Sequence, residues 1–193
     1  MSEGRYHHGD LERALLSTAL HVIAEEGLEG LTLRNVASRV GVSGSALYRH
    51  FDDKAALVAR IAADGFRLLA ETLRRVRANA GPDATDTLEV MAAAHVHFAQ
   101  ANPSHYATMF SIQSRRQGSA VAREADAAFG QLVEGVREAQ GRGLIGDENA
   151  VTVAEVMWSL TFGLARLGAA SPVEELAVLG VRWVSDGCRM GVR

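Results

Sequence analysis

The stretch that decides the fold is Leu31–Lys54, LTLRNVASRVGVSGSALYRHFDDK, in a chain of 193 residues. No Asp or Glu occurs from residue 30 to residue 51, whereas three arginines lie there: Arg34, Arg39 and Arg49. The whole chain has a formal charge of −3, so this stretch is a local positive region in an acidic protein. Such a region favours a polyanion over a small substrate as the partner.

Capping and stop residues divide this stretch into two short helices. Thr32 is a good N-cap for a helix over residues 33–40, and Gly41 ends that helix. Ser43 caps the next helix, which we predict over residues 44–50. Two short helices joined by a tight turn are typical of a helix-turn-helix.

The second of these helices has separate inner and outer faces. Leu47 and Phe51 are four residues apart, so both anchor the inner face. Small residues at positions 44–46 allow the helix end to approach DNA closely, and Arg49 has the reach to contact a guanine edge in the major groove. Asp53 then caps a fourth, longer helix. We therefore expect this stretch to read DNA.

Composition places the chain among soluble helical proteins. It is 48% hydrophobic and 22% charged, with only three prolines, which favours an all-α chain. Cys188 is the single cysteine, which excludes an intrachain disulfide, and we interpret it as a packed thiol. The N-terminus lacks the apolar region of a signal peptide. Because Glu155 and Arg166 interrupt the most apolar run, we expect no membrane span and a cytoplasmic protein.

Apolar periodicity continues to the C-terminus and predicts about nine helices in all. The eighth helix, predicted over residues 148–169, has apolar side chains on two sides, so two surfaces must cover it. The ninth helix, predicted over residues 172–190, also has a spare apolar face. We therefore expect a homodimer. The candidate interface residues are Val153, Met157, Leu160, Leu164, Val173, Ala177, Gly180, Val184 and Gly187.

The N-terminal third resembles the DNA-binding domain of the tetracycline-repressor (TetR) family. The resemblance covers His8 to about Leu68: a helix ending in EEG, then LTLRNVASRVGVSGSALYRHF, then DK and a leucine-containing helix. It implies a three-helix DNA-binding domain over residues 8–68, which includes the start of helix 4. Residues 69–193 would then form a helical ligand-binding and dimerisation domain.

The family implies DNA contacts at matching positions of this sequence. These positions are Thr32, Arg34, Ser43, Gly44, Ser45, Ala46, Tyr48, Arg49, His50 and Lys54. In relatives, the position of Arg34 often reaches a base or phosphate, and those of His50 and Lys54 contact phosphates. Gly44 departs from the pattern, because many relatives carry a longer polar or basic side chain there. Arg5, His7 and His8 form a possible additional arm on the DNA.

The C-terminal half resembles a TetR subgroup in two shorter segments. Residues 102–110, NPSHYATMF, match a P-x-x-Y-x-x-M-F pattern, and residues 158–164, WSLTFGL, match a W-x-x-x-H-G stretch in which Phe162 replaces histidine. The family implies a small-molecule cavity in this half. Its candidate lining residues are Phe66, Met91, His95, Phe98, Tyr106, Met109, Phe110, Gln113, Trp158 and Phe162.

Other chemistries find little support in the sequence. It contains no nucleophile elbow, phosphate loop or HExxH motif, so we expect no enzyme. His95 and His97 are two residues apart on one helix and point to nearly opposite sides, which prevents joint chelation. His95 with His105 remains conceivable, yet no acidic or cysteine cluster accompanies them. We expect neither a metal nor a cofactor.

The favoured function is a ligand-responsive transcriptional regulator, most often a repressor in this family. A homodimer would bind a palindromic operator in double-stranded DNA, and a small, mostly apolar effector would release it. The alternative is a helical carrier or scaffold dimer with a weak or vestigial DNA-binding domain. Salt dependence separates the two, because a protein with several phosphate contacts loses DNA affinity steeply as salt rises.

Overall fold

The computed structural model describes residues 8–80, 86–111, 119–167 and 172–190, and these residues form an all-α protein. Nine helices occur in them, which confirms the predicted fold class. Their bounds are α1 His8–Gly30, α2 Leu33–Val40, α3 Gly44–Tyr48, α4 Lys54–Asn79, α5 Thr87–Ala101, α6 Pro103–Met109, α7 Ser119–Gly141, α8 Ala150–Leu167 and α9 Val173–Met190.

The predicted capping residues define the helix-turn-helix. Thr32 Oγ1 accepts a hydrogen bond from the Asn35 amide at 3.1 Å and starts α2. Gly41 ends α2 in the left-handed conformation, with φ of 79°. Ser43 Oγ accepts from the Ala46 amide at 3.2 Å and starts α3. The helix ends at Tyr48, two residues earlier than predicted.

The chain divides into two compact units, of which the first contains the helix-turn-helix. It comprises the described residues up to Gly65 together with those of Pro103–Ala122. Its core contains the fully buried side chains of Leu15, Val22, Val36 and Leu47. The short helix α6 packs against α1 here, and Ser104 Oγ donates a hydrogen bond to the Leu20 carbonyl at 3.1 Å.

The second unit comprises the described residues of Phe66–Asn102 and Arg123–Arg193. In it α5, α8 and α9 pack against one another. The side chain of Asn149 accepts hydrogen bonds from the amides of Val151 and Thr152 at 3.0 and 3.2 Å. This cap starts α8 two residues later than the pattern predicted. The predicted functional boundary between residues 68 and 69 stays a prediction.

Four of the predicted interface residues are instead core residues of the second unit. Val153 and Met157 on α8, and Val173 and Ala177 on α9, are buried within the unit itself. Their side chains therefore have no surface to offer a second subunit, which corrects the prediction for these four. Leu160 and Leu164, which we placed on the same stripe of α8 as Val153 and Met157, are half-buried, so the sequence alone did not show how far this stripe faces inward.

Helix α8 has an unusually apolar surface. By length and composition it is long and apolar enough to cross a membrane, with a mean hydropathy of 1.3 over its 18 residues. One such helix is weak evidence for a membrane span, because an apolar helix of a soluble protein can have the same length and composition. Only 22% of this segment is buried. Much of its apolar surface therefore faces away from its own unit.

Within the first unit, α6 lies unusually close to α4 at Gly65. A Cβ atom at this glycine would lie 2.8 Å from the Met109 sulfur and 3.2 Å from the His105 Cβ. Gly65→Ala is expected to lower stability, because overpacking costs about 1–3 kcal/mol whereas the helix-propensity gain is about 1 kcal/mol. Urea unfolding followed by circular dichroism measures the change.

The matched control for that substitution is Gly130→Ala in α7, where an added Cβ meets nothing within 4 Å. This variant is expected to gain about 0.5–1 kcal/mol of stability. An equal gain in both variants would show that the close approach of α6 to α4 does not constrain position 65.

Candidate nucleic-acid interface and ligand cavity

The short helix α3 presents its outer face to solvent. Leu47 is fully buried beneath it, whereas the Tyr48 ring is 58% exposed and Ser45 and Arg49 are also exposed. Gly44 adds no side chain, and a Cβ atom there would meet nothing within 4 Å. This arrangement leaves the predicted groove-facing positions of α3 accessible to DNA.

Arg39 serves a structural purpose within the first unit. Its guanidinium forms ion pairs with Glu25 and Glu26 at the end of α1, and its Nε donates to the Asn35 side chain at 3.0 Å. The hydrogen bond and charge of Arg39 hold the pKa of the Glu25 carboxyl below its usual value. The positive charge of Arg39 is therefore largely balanced by the chain itself.

The other two arginines of the stretch are available to a partner. In the described part of the chain, the side chains of Arg34 and Arg49 form neither a hydrogen bond nor an ion pair, and both residues are exposed. Arg34 lies on α2, and Arg49 follows α3 directly. These two side chains are the main cationic groups of the candidate interface.

Several predicted phosphate-contacting residues also hold the local fold. Lys54 Nζ donates to the carbonyls of Leu28 and Glu29 at 2.8 and 3.5 Å, which caps the end of α1. Thr32 and Ser43 accept backbone hydrogen bonds as helix caps, and His50 is half-buried. Of the possible arm, Arg5, His7 and the side chain of His8 lie outside the described residues.

A hollow of about 360 Å³ lies between α2 and α3 on the same face. We call it the α2–α3 hollow, and it is lined by Leu33, Arg34, Ala37, Ser38, Val42, Gly44, Leu47 and Tyr48. Most of these side chains are apolar, although the hollow adjoins the exposed side chains of Arg34 and Tyr48. The α2–α3 hollow depends on how α2 and α3 pack, so the sequence alone did not predict it.

The second unit contains a small internal cavity. We call it the α5–α8 cavity; its lining residues are Leu73, Leu88, Met91, Ala92, His95, Leu132, Met157, Trp158, Thr161 and Val181. Its free volume of about 10 Å³ has room for roughly one water molecule. This volume is far below the roughly 300–1,000 Å³ that ligand pockets usually enclose.

Three of the ten predicted lining residues, Met91, His95 and Trp158, border this cavity. Phe66 and Phe98 are buried in the same unit and Phe162 is half-buried, but none of the three lines it. The remaining described candidates, Tyr106, Met109 and Phe110, belong to the first unit. Gln113 lies outside the described residues.

The polar groups of the α5–α8 cavity form one pair. His95 is 2% exposed, and its Nδ1 lies 3.1 Å from the Thr161 hydroxyl. That hydroxyl also lies 3.0 Å from the carbonyls of both Met157 and Trp158. Burial lowers the pKa of His95 to about 4, so the imidazole is neutral at pH 7. Sequence reasoning identified His95 but missed Thr161, which lies 66 residues away.

Aromatic rings enclose the histidine on one side. The ring centroids of His95 and Trp158 are 4.7 Å apart. The centroids of Trp158 and Phe129 are 5.9 Å apart, and these two rings meet edge to face. Among the described residues that line the cavity, His95 has the only acidic or basic side chain. An uncharged molecule with one hydrogen-bonding group therefore suits these walls better than an ion.

The second unit also exposes an apolar face on α8 and α9. Trp183 is 67% exposed, which is unusual for so large an apolar side chain. The other members of this α8–α9 face are Val156, Leu167, Leu176, Leu179 and Met190. Gly180 brings α9 close to Leu160, so the exposed stripe of α9 lies beside its contact with α8. Trp183 was not among the predicted interface residues, although it lies one position before the predicted Val184.

Metal ligation finds no geometric support in the described ranges. Among those residues, no group of three or more His, Cys, Asp and Glu side chains is placed to hold a metal ion. Cys188 is half-buried, and burial raises the pKa of its thiol. A raised pKa reduces the thiolate fraction and hence the reactivity of this cysteine.

Comparisons with known proteins match both halves of the chain. Residues 15–61 match the family model of bacterial regulatory proteins of the tetR family. Residues 88–178 match a model of the tetracyclin repressor-like C-terminal domain. The N-terminal and C-terminal parts of the sequence thus each resemble the same group of proteins.

Individual relatives agree with these matches. The chain is 47% identical over 49 residues to the tetracycline repressor protein class C of Escherichia coli, which covers 25% of this chain and 22% of that protein. It is 35% identical over 77 residues to the HTH-type transcriptional repressor KstR2 of Rhodococcus jostii, which covers 40% and 37%. The chain therefore spans well under half the length of these curated relatives.

One solved structure matches almost throughout. It is a protein of unknown function from Rhodococcus sp. RHA1, 32% identical, with a TM-score of 0.83 over 97% of this chain and 100% of that one. The helix-turn-helix geometry and the two domain matches together carry the assignment. The chain belongs to the TetR family of bacterial transcriptional regulators.

Proposed function

We propose that this protein is a ligand-responsive repressor that binds a palindromic operator as a homodimer. The observation that supports it most is the outer face of α3, where Tyr48 and Arg49 are exposed while Leu47 is fully buried. Arg34 on α2 adds a second available cation. Two such cations per subunit give weak binding, so two copies on one duplex are needed for a stable complex.

The proposed interface of the homodimer is the α8–α9 face. A soluble monomer rarely exposes several large apolar side chains at helical spacing along one helix, as α9 does with Leu176, Leu179 and Trp183. Burial of this face in a symmetric interface would remove that apolar surface from water. The half-buried Leu160, Leu164, Gly180, Val184 and Gly187 remain candidates for its inner margin.

The proposed effector site is the α5–α8 cavity. Its lining is complementary to a small, mostly apolar and uncharged molecule whose polar group would form a hydrogen bond with the His95–Thr161 pair. Because the cavity holds about 10 Å³ in this structure, binding requires the helices around it to move apart. An effector that binds only the opened form shifts the protein toward that form, and release of DNA follows from this difference in affinity.

The protein therefore acts on DNA in the cytoplasm and has no enzymatic role in this proposal. Its curated relatives carry the names of transcriptional regulators, which supports this reading. The operator is double-stranded DNA, and no metal or cofactor takes part. A carrier or scaffold dimer would instead bind DNA no more tightly than a protein of the same charge.

Arg49→Ala is expected to weaken operator binding by about 1–3 kcal/mol if Arg49 contacts a base edge. The operator is first selected from a random DNA pool, and dissociation constants are measured by fluorescence anisotropy at several salt concentrations. The matched control is Arg137→Ala, which removes an exposed arginine that pairs with Glu134 in the second unit. Failure of the native protein to select any sequence would contradict the proposed function.

Trp183→Glu is expected to convert the dimer to a monomer, because a buried unpaired carboxylate opposes association. Light scattering after size-exclusion chromatography reports the mass, and operator affinity should fall at the same time. Val90→Glu is the control, since Val90 is also an exposed apolar residue but lies on α5. A Trp183→Glu protein that stays dimeric would place the interface elsewhere.

The buried His95 is expected to make stability depend on pH. Its folded-state pKa of about 4 lies below its ordinary value of 6.5, so the unfolded chain takes up the proton first. The free energy of unfolding should therefore fall as the pH drops from about 6.5 to about 4, by up to roughly 3 kcal/mol. Urea titrations at several pH values measure this loss.

His95→Gln should lack most of that loss, because glutamine does not titrate. The control is His97→Gln, which changes an exposed histidine on the same helix and should keep the native pH dependence. If His95→Gln and the native protein lost the same stability between pH 6.5 and 4, His95 would not be the responsible group.

A further inference from the structure

The α2–α3 hollow is an apolar recess on a surface that is otherwise suited to a polyanion. Leu33, Ala37, Val42 and Leu47 contribute apolar walls, and Ser38 is its small polar member. Gly44 borders the recess and adds no side chain to it, and a Cβ atom at that position would meet nothing within 4 Å. A longer side chain at position 44 would start in open space at the margin of the recess.

The chemistry of the recess limits what it can receive from DNA. A phosphate oxygen loses hydration among apolar walls without gaining enough hydrogen bonds, so phosphate is disfavoured. Most base-edge groups in the major groove are hydrogen-bond donors or acceptors. The apolar exception is the methyl group at C5 of thymine, which proteins contact with apolar side chains.

The flanking residues favour the same partner. Arg34 and Tyr48 both line the recess, and Arg34 has no ion pair among the described residues. A guanidinium at the margin can hold the DNA backbone or a base edge while the recess meets the neighbouring base. No Asp or Glu occurs among the described residues that line the recess, which limits repulsion of DNA at this margin.

We propose that the α2–α3 hollow receives the 5-methyl group of one thymine in each half-site of the operator. Gly44 then determines specificity, because its missing side chain keeps the recess open. The inference rests on the proposed function and adds a sequence preference to it. In relatives with a longer residue at this position, the same place would be covered.

Replacement of thymine by deoxyuridine tests the proposal, because it removes only the methyl group and keeps the base-pairing pattern. The operator is selected from a random duplex pool, and each thymine of one half-site is then replaced in turn. One replacement should weaken binding about fourfold, the effect expected for one buried methyl group. The other replacements should change the dissociation constant little.

Gly44→Leu tests the recess from the protein side. This variant should bind the thymine and deoxyuridine duplexes equally at the sensitive position, because leucine covers the recess. Gly130→Leu is the matched control, since the Cβ position there also meets nothing within 4 Å but lies in the second unit. It should keep the fourfold preference, and circular dichroism melts should show both variants folded.

The outcomes separate the two proposals. Selection of a specific operator in which no deoxyuridine replacement weakens binding would overturn the methyl recess and leave the proposed repressor function intact. An unchanged thymine preference in Gly44→Leu would also overturn it, because the preference would then arise at another residue. Failure to select any sequence would overturn the regulator proposal and the recess with it.

Discussion

The burial of Leu47 is the contact on which the DNA-binding surface depends. Helix α3 has five residues, and a helix that short is unstable alone in water. Leu47, fully buried in the core of the first unit, and the Ser43 cap hold it in place. The outer side chains of α3 are therefore positioned by contacts within the protein itself.

The positive charge of this surface is modest because part of the basic stretch is used to stabilise the fold. Arg39 balances Glu25 and Glu26, and Lys54 caps the end of α1, so part of the basic stretch stabilises the fold. Within the basic stretch, Arg34 and Arg49 are the arginines whose side chains form no hydrogen bond or ion pair with the described residues. A single copy thus lacks the charge for strong binding, and the exposed α8–α9 face offers a way to bring two copies together.

Features set by neighbouring residues could be predicted from the sequence, whereas those set by packing could not. The caps at Thr32 and Ser43 and the stop at Gly41 act within three or four residues, so the residue types themselves predict them. The inward stripe of α8 depends on which helices surround it, and Met157 proved to be core rather than interface. Thr161 meets His95 across 66 residues, a pairing that helical periodicity cannot reveal.

The covalent path of the chain bears on the proposed response to an effector, because helices that line the α5–α8 cavity continue toward the first unit. Leu73 on α4 and both Met91 and His95 on α5 line the α5–α8 cavity. Helix α4 begins in the first unit, and only Asn102 separates the end of α5 from α6, which also belongs to the first unit. An effector that widens a cavity of about 10 Å³ must displace such lining helices. Both helices are covalently continuous with the unit that contains α3, which supports the proposed coupling between effector binding and release of DNA.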